Sequence, residues 1–119
     1  MMQVFDEAVF RLFAAEFGDA EAVEVLQIFL ADTANKMIRL AASGETRPLI
    51  KLEAHSIKSS AATFGFEDLS QRARELEFGA ETMVPAKLRE SVCELQQSFD
   101  RARQFAQTNL LTMTLEPAS

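Results

Sequence analysis

Apolar residues recur along this chain at intervals of three and four, the repeat of one face of an α-helix, and strand-like alternation bounded by turns is hard to find. The pattern predicts five helical segments. The first, from about Val4 to Phe17, sets Phe5, Val9, Leu12 and Phe13 on one side, and Gly18 ends it. The second takes Asp19 as its N-cap and runs to about Ser43, with Leu26, Phe29, Leu30, Thr33, Met37 and Leu40 as a long stripe, before Gly44 stops it. A third starts between Thr46 and Pro48, where proline suits a first helical turn, and runs to Phe64, after which Gly65 breaks the chain. The fourth, about Glu67 to Phe78, opens on two acids that favour the helix dipole and turns Leu69, Ala73 and Leu76 inward. Pro85 opens the fifth, whose stripe is Leu88, Val92, Leu95, Phe99, Ala102 and Ala106.

Short connections between long amphipathic helices imply an all-α fold, an antiparallel up-and-down four-helix bundle with a short additional N-terminal helix laid across one end. One bundle domain is expected over residues 1–107. Residues 108–119 read as a poorly patterned C-terminal tail.

Composition fits this reading and removes several functions. The chain has 119 residues, 48% of them hydrophobic, with only four Gly and three Pro, which is enough to bury a core and too ordered in pattern for a disordered segment. Its formal net charge of −6 argues against nucleic acid, because binding a phosphate backbone needs a basic face. The N-terminus lacks the basic start and apolar run of a signal peptide, and no window approaches the roughly 20 apolar residues that span a bilayer. A cytoplasmic protein is expected, with no direct membrane contact. The single cysteine, Cys93, can form no internal disulfide; it is placed on the flank of the fifth helix, in a structural role rather than a reactive one.

The only histidine, His55, lies in the run His55-Ser56-Ile57-Lys58-Ser59-Ser60-Ala61-Ala62-Thr63-Phe64-Gly65. With about 100° per residue, Leu49, Ile50, Ala54, Ile57, Ala61 and Phe64 fall within a sector of about 140°. His55 projects nearly opposite, in a strip shared with Lys51, Lys58, Ser59 and Ala62. It is therefore no core histidine. An ordinary solvated histidine remains as the plain alternative, and against it stand the two lysines and the lack of bulk in front of the ring.

Other chemistry finds no support. A carboxylate-bridged metal centre in a bundle needs two Glu-x-x-His pairs, and this chain has one histidine with Glu53 only two residues before it. No metal or cofactor is expected. There is no phosphate-binding glycine loop, and nothing suggests the nucleophile turn and oxyanion hole of a Ser-His-Asp hydrolase. Arg72 and Arg74 read as a solvated face paired with Glu75 and Glu77. What survives is a solvent-facing imidazole, a good nucleophile near neutral pH, beside Lys51 and Lys58. A phosphoryl group on that ring would meet each ammonium with roughly 3 kcal/mol at about 5 Å and an effective dielectric near 20, and less for exposed groups.

The string His55-x-x-Lys58-Ser59-Ser60-Ala61-Ala62-x-x-Gly65, followed by Leu69-x-x-x-Ala73-x-x-Leu76-Glu77, resembles a histidine-containing phosphotransfer (HPt) domain. The family pattern is His-x-x-Lys-Gly followed by small residues, then a Leu and a Leu-Glu on the next helix; the close match spans about Ala54 to Glu77. The resemblance implies a phosphorelay carrier that takes a phosphoryl group on Nε2 of His55, with Lys58 helping to hold the phosphoryl oxygens. Its partners would be receiver domains of response regulators and of a hybrid histidine kinase, and the only Mg²⁺ would sit on the receiver. Ser59 stands where the family has Gly, small enough to permit approach and able to bond the ring or the phosphoryl group. Leu52, Ser59 and Ala62 are the nearest candidates for a docking surface. A monomer without independent catalytic turnover is expected. Two alternatives are a helical adaptor that binds receivers without transfer, and the phosphoacceptor module of a chemotaxis-type kinase.

Overall fold

The computed structural model describes residues 2–43 and 46–111. Among these, the chain forms five α-helices and no strand: α1 Glu7–Phe17, α2 Asp19–Ala42, α3 Arg47–Phe64, α4 Glu67–Gly79 and α5 Pro85–Phe105. Helices α2 to α5 make the expected up-and-down bundle, and α1 packs against α2 and α3 at one end of it.

Local chemistry sets the helix ends. The Asp6 carboxylate accepts from the Ala8 amide at 3.0 Å and caps α1. Gly18, at φ 87°, joins α1 to α2 and is itself the N-cap, so Asp19 is the first helical residue and not the cap expected from the sequence. Gly44, expected to stop α2, lies outside the described residues. Pro48 and Pro85 sit in the first turns of α3 and α5, where a missing N–H costs nothing. Gly65 ends α3 in the left-handed conformation, at φ 90°.

The core is a column of buried side chains from all four bundle helices. The α2 stripe from Leu26 to Leu40 is buried as expected, as are Ile50, Ala54, Ile57, Ala61 and Phe64 of α3 and Leu69, Ala73 and Leu76 of α4. On α5, Val92 is only half-buried and the rest of the stripe is buried. At the α1 end the core is aromatic: Phe5 packs 5.3 Å from Phe66 and 4.8 Å from Phe105, and Phe13 lies 5.0 Å from Phe64, all between ring centroids.

Helix α1 differs from its expectation. It starts at Glu7 rather than Val4, so Phe5 reaches the core from the segment before the helix, and the inward face is Phe10 and Ala14. Leu12 is 74% exposed. The expected stripe mixed two conformations under one helical phase. At the other terminus, Ala106–Leu110 continues α5 as a π-helical turn with Leu110 buried, so Thr108 to Leu110 are helical where an unpatterned tail was expected. Residues 112–119 of that tail lie outside the described residues.

Two ties fix α4 against α3. The Ser70 hydroxyl donates to the Lys58 carbonyl at 2.9 Å. Arg47 donates to the carbonyl of Ala80 at 2.8 Å, an acceptor left open at the end of α4, and to that of Met83 at 2.6 Å in the connection to α5. Between them, the outer edge of α4 is held beside the outer face of α3.

Candidate functional site

His55 projects from the middle of α3 into solvent, with its side chain 58% exposed. Ile57 and Ala61 on the opposite face are fully buried and lock the helix phase. Leu52, Ser59 and Ala62 are exposed on the same side as His55.

Glu77 of α4 organises this surface. Its Oε2 lies 2.7 Å from His55 Nδ1, and its Oε1 lies 2.8 Å from Lys58 Nζ. Its side chain is only 12% exposed. The Lys58 ammonium and then the imidazole hold the Glu77 carboxyl below its ordinary value of 4.5, against the opposing effect of burial. At neutral pH it is ionised and can only accept, so the hydrogen on this short contact belongs to Nδ1 of the ring. A neutral imidazole with its proton on Nδ1 carries its lone pair on Nε2.

Spacing in the sequence pairs Glu77 with arginines of its own helix. The structure corrects this. Arg72 instead bonds Asp68 at 3.2 Å and Glu94 at 3.1 Å, and the Arg74 guanidinium lies over the Phe78 ring, 5.5 Å from its centroid. Spacing along one helix proposes neighbours on that helix, whereas Glu77 faces across the α3–α4 seam to residues about twenty positions earlier. The one sequence signal for it was its place in the Leu76-Glu77 pair of the resemblance.

The structure draws Lys58, not Lys51, into this set. Lys51 Nζ pairs with Glu81 at 3.2 Å, beyond the end of α4. Lys58, 26% exposed at its side chain, is the cation tied to the histidine's carboxylate. Cys93 is exposed on α5. Among the described residues no group of three or more His, Cys, Asp or Glu is placed to hold a metal ion, and no helix is long and apolar enough to cross a membrane.

On the other side of α3 two polar pairs face α2. Arg39 donates to both carboxylate oxygens of the buried Glu53, at 2.8 and 3.2 Å, and the buried Lys36 bridges Asp32 and the Ser56 hydroxyl, each at 2.6 Å. These were not foreseen from the sequence. They pin the register of α3 on the flank away from Glu77, since a buried charge that lost its partner would be costly.

Comparison with known proteins bears on this arrangement. The family model of the Hpt domain matches residues 24–105, which takes in all of α3, α4 and α5 and most of α2. Among solved structures, the crystal structure of histidine-containing phosphotransfer protein B from Pseudomonas aeruginosa PAO1 superposes with a TM-score of 0.80 at 20% identity, covering 88% of this chain and 92% of that one. No curated protein sequence matches the chain. With more than half of its length under the family model, and with the bundle that the family shares, the chain belongs to the histidine phosphotransfer (Hpt) domain family.

Proposed function

We propose that this protein is a cytoplasmic phosphorelay carrier that accepts and returns a phosphoryl group on His55, working with receiver domains of response regulators and of a hybrid histidine kinase. The observation that carries the reading is the 2.7 Å contact between Glu77 and Nδ1, because it leaves Nε2 as the nucleophile on an open surface.

The step is a group transfer to that atom. Nε2 attacks the phosphorus of a receiver's aspartyl phosphate; the P–N bond forms, the P–O bond breaks, and the aspartate leaves with the electron pair as a carboxylate. The ring becomes an imidazolium whose Nδ1–H points at Glu77. The Lys58 ammonium, paired with Glu77 at 2.8 Å, has three N–H donors in all, and those turned outward meet the phosphoryl oxygens. Exposed Ser59 and Ala62 offer little bulk against an approaching partner, and Leu52 gives it an apolar foothold. Mg²⁺ and the acid–base machinery belong to the receiver, so the carrier has no turnover of its own.

The test is transfer from phosphorylated receivers to the full chain and to His55→Gln. Acid-labile label is expected on the first and none on the second, with both equally folded, because an exposed side chain contributes little to packing. A chain that binds receivers but takes no label is an adaptor. Label retained in His55→Gln overturns the assignment, since there is no other histidine.

A further inference from the structure

Phe78 follows Glu77 on α4 and is 66% exposed, in a chain that buries Phe10, Phe29, Phe64, Phe66 and Phe99. A single exposed apolar residue means little by itself. This one, however, shares a cation with the reacting centre: Lys58 Nζ lies 5.7 Å from the Phe78 ring centroid and 2.8 Å from the carboxylate that holds His55. Arg74 covers the same ring at 5.5 Å. Among the described residues no carboxylate pairs with Arg74, so its charge is open to a partner.

The local balance of charge points the same way. Among the described residues Lys58 pairs with Glu77, Lys51 with Glu81 and Arg74 with no carboxylate, a surplus of positive charge on this edge in a protein of net charge −6. Leu52, 66% exposed and one turn before His55, stands on the opposite flank of the imidazole. The docking face is thus apolar on both sides of His55; on the α2 side Lys36 and Arg39 are paired with Asp32 and Glu53, whereas on the α4 side Arg74 has no carboxylate partner among the described residues.

We propose that Phe78, with Arg74 and Lys58 over its ring, is the contact by which this face selects and orients its receiver partner. This rests on the phosphotransfer reading. A protein that holds Mg²⁺ at its phosphoryl site must gather carboxylates there, so its rim is acidic and complements the α4 side. The matching feature is an apolar pocket beside that rim, deep enough for one aromatic ring. Aromatic and arginine side chains together are the commonest composition of a binding hot spot, and opposed charges across the rim fix orientation and speed encounter.

The experiment compares Phe78→Ala, Arg74→Ala and Leu52→Ala with the natural chain in two reactions. One is transfer from a panel of phosphorylated receivers. The other is labelling by phosphoramidate, in which ammonia leaves as the P–N bond to Nε2 forms and no docking is needed. Phe78→Ala should raise KM for the preferred receiver about 10- to 30-fold with kcat little changed, and should narrow the differences among receivers. Arg74→Ala should lower kcat/KM by about 3- to 10-fold and flatten its dependence on salt. Phosphoramidate labelling should fall far less than receiver transfer in both. Equal losses in the two reactions would show that Phe78 supports the geometry of His55 and not docking. Unchanged receiver kinetics in Phe78→Ala, with Leu52→Ala impaired, would place the selective contact on the other flank. If the natural chain takes label from phosphoramidate but from no receiver, the phosphotransfer reading fails and this proposal with it.

Discussion

Replacing Glu77 separates two things that its carboxylate does, and the structure gives each a size. Glu77→Gln keeps an acceptor for Nδ1–H and removes the charge; Glu77→Ala removes both. As Nε2 bonds to phosphorus the ring becomes cationic, so a hydrogen bond from a neutral donor to a carboxylate turns into one between full charges, and bonds to charged groups are worth about 1.5–3 kcal/mol. His55 is more than half exposed, which screens the ion pair and places the gain in the lower half of that range. About 1.5–2 kcal/mol corresponds to roughly a 10- to 30-fold slower transfer for Glu77→Ala. Glu77→Gln should lose less, about 3- to 10-fold, because its amide oxygen still accepts from Nδ1–H and holds the ring's orientation. The assay is rapid-quench transfer from a phosphorylated receiver at saturating concentration, so that docking drops out, with circular dichroism to verify the fold. In a double-mutant cycle with Lys58→Ala the two changes should be non-additive, since both residues act through one carboxylate. Transfer by Glu77→Ala at the natural rate would refute the reasoning, because it would mean that the ring needs no partner at Nδ1.

Other outcomes follow from the same geometry. Lys58→Ala should slow transfer roughly 5- to 30-fold, the loss of about 1 to 2 kcal/mol of transition-state stabilisation, and Lys51→Ala should cost less because its ammonium is held at Glu81; rates at low and high salt decide this, and a larger loss at Lys51 contradicts it. Gly65→Ala should destabilise the fold by about 2 kcal/mol or more, since the residue has φ +90° and a Cβ there would lie 2.6 Å from the Asp6 carbonyl oxygen; Gly18→Ala, at φ +87° with open space around it, should lose only about 1 kcal/mol, and urea denaturation that ranks them the other way would reject the argument. Burial pushes the Asp68 carboxyl up, but the Ser98 hydroxyl with Arg72 and Arg101 outweighs it and holds the group below 3.8. The unfolded chain therefore binds this proton more readily, so its contribution to stability is present above the unfolded value and is lost as pH falls through the folded one. Denaturation midpoints between pH 2 and 6 should decline less steeply in Asp68→Asn than in the natural chain; parallel curves would remove Asp68 from the acid response.

The helices that could be read from sequence were those whose apolar stripe runs for several turns. In α2 and α5 the stripes from Leu26 to Leu40 and Leu88 to Ala106 fix the phase many times over, so one misread position changes nothing. In α1 the stripe is short, and moving the start by three residues was enough to put Leu12 outside and Phe10 inside. The outward direction of His55 was legible for the same reason as the long stripes. Its partner was not. Lys36 with Ser56, Arg39 with Glu53, Ser98 with Asp68 and Glu77 with His55 are all contacts across a seam between helices. Periodicity says which way a side chain points but not which residue of the next helix it meets, because that depends on axial offset, set here by loop lengths and by ties such as Arg47 to Ala80.

Charge around His55 accounts for a carrier that gives up what it accepts. With the imidazole in its nucleophilic, neutral form, the ring, the Glu77 carboxylate and the Lys58 ammonium sum to zero. Transfer adds a phosphoryl group of about −2 and leaves the ring at +1, so the same set holds a net charge of about −1. One ammonium cannot offset both the carboxylate that orients the ring and the group that arrives. The residual repulsion is modest, because two unit charges about 5 Å apart at an effective dielectric near 20 interact by roughly 3 kcal/mol, and less at an exposed site. Its sign opposes holding the added charge on the carrier and favours its return. Within this set the balancing positive charge is absent, and a partner that brings its own cation to the open side of the imidazole supplies it. In the proposed transfer Glu77 both prepares the nucleophile and opposes the charge of the cargo, and each role requires it to stay ionised, as its lowered pKa provides.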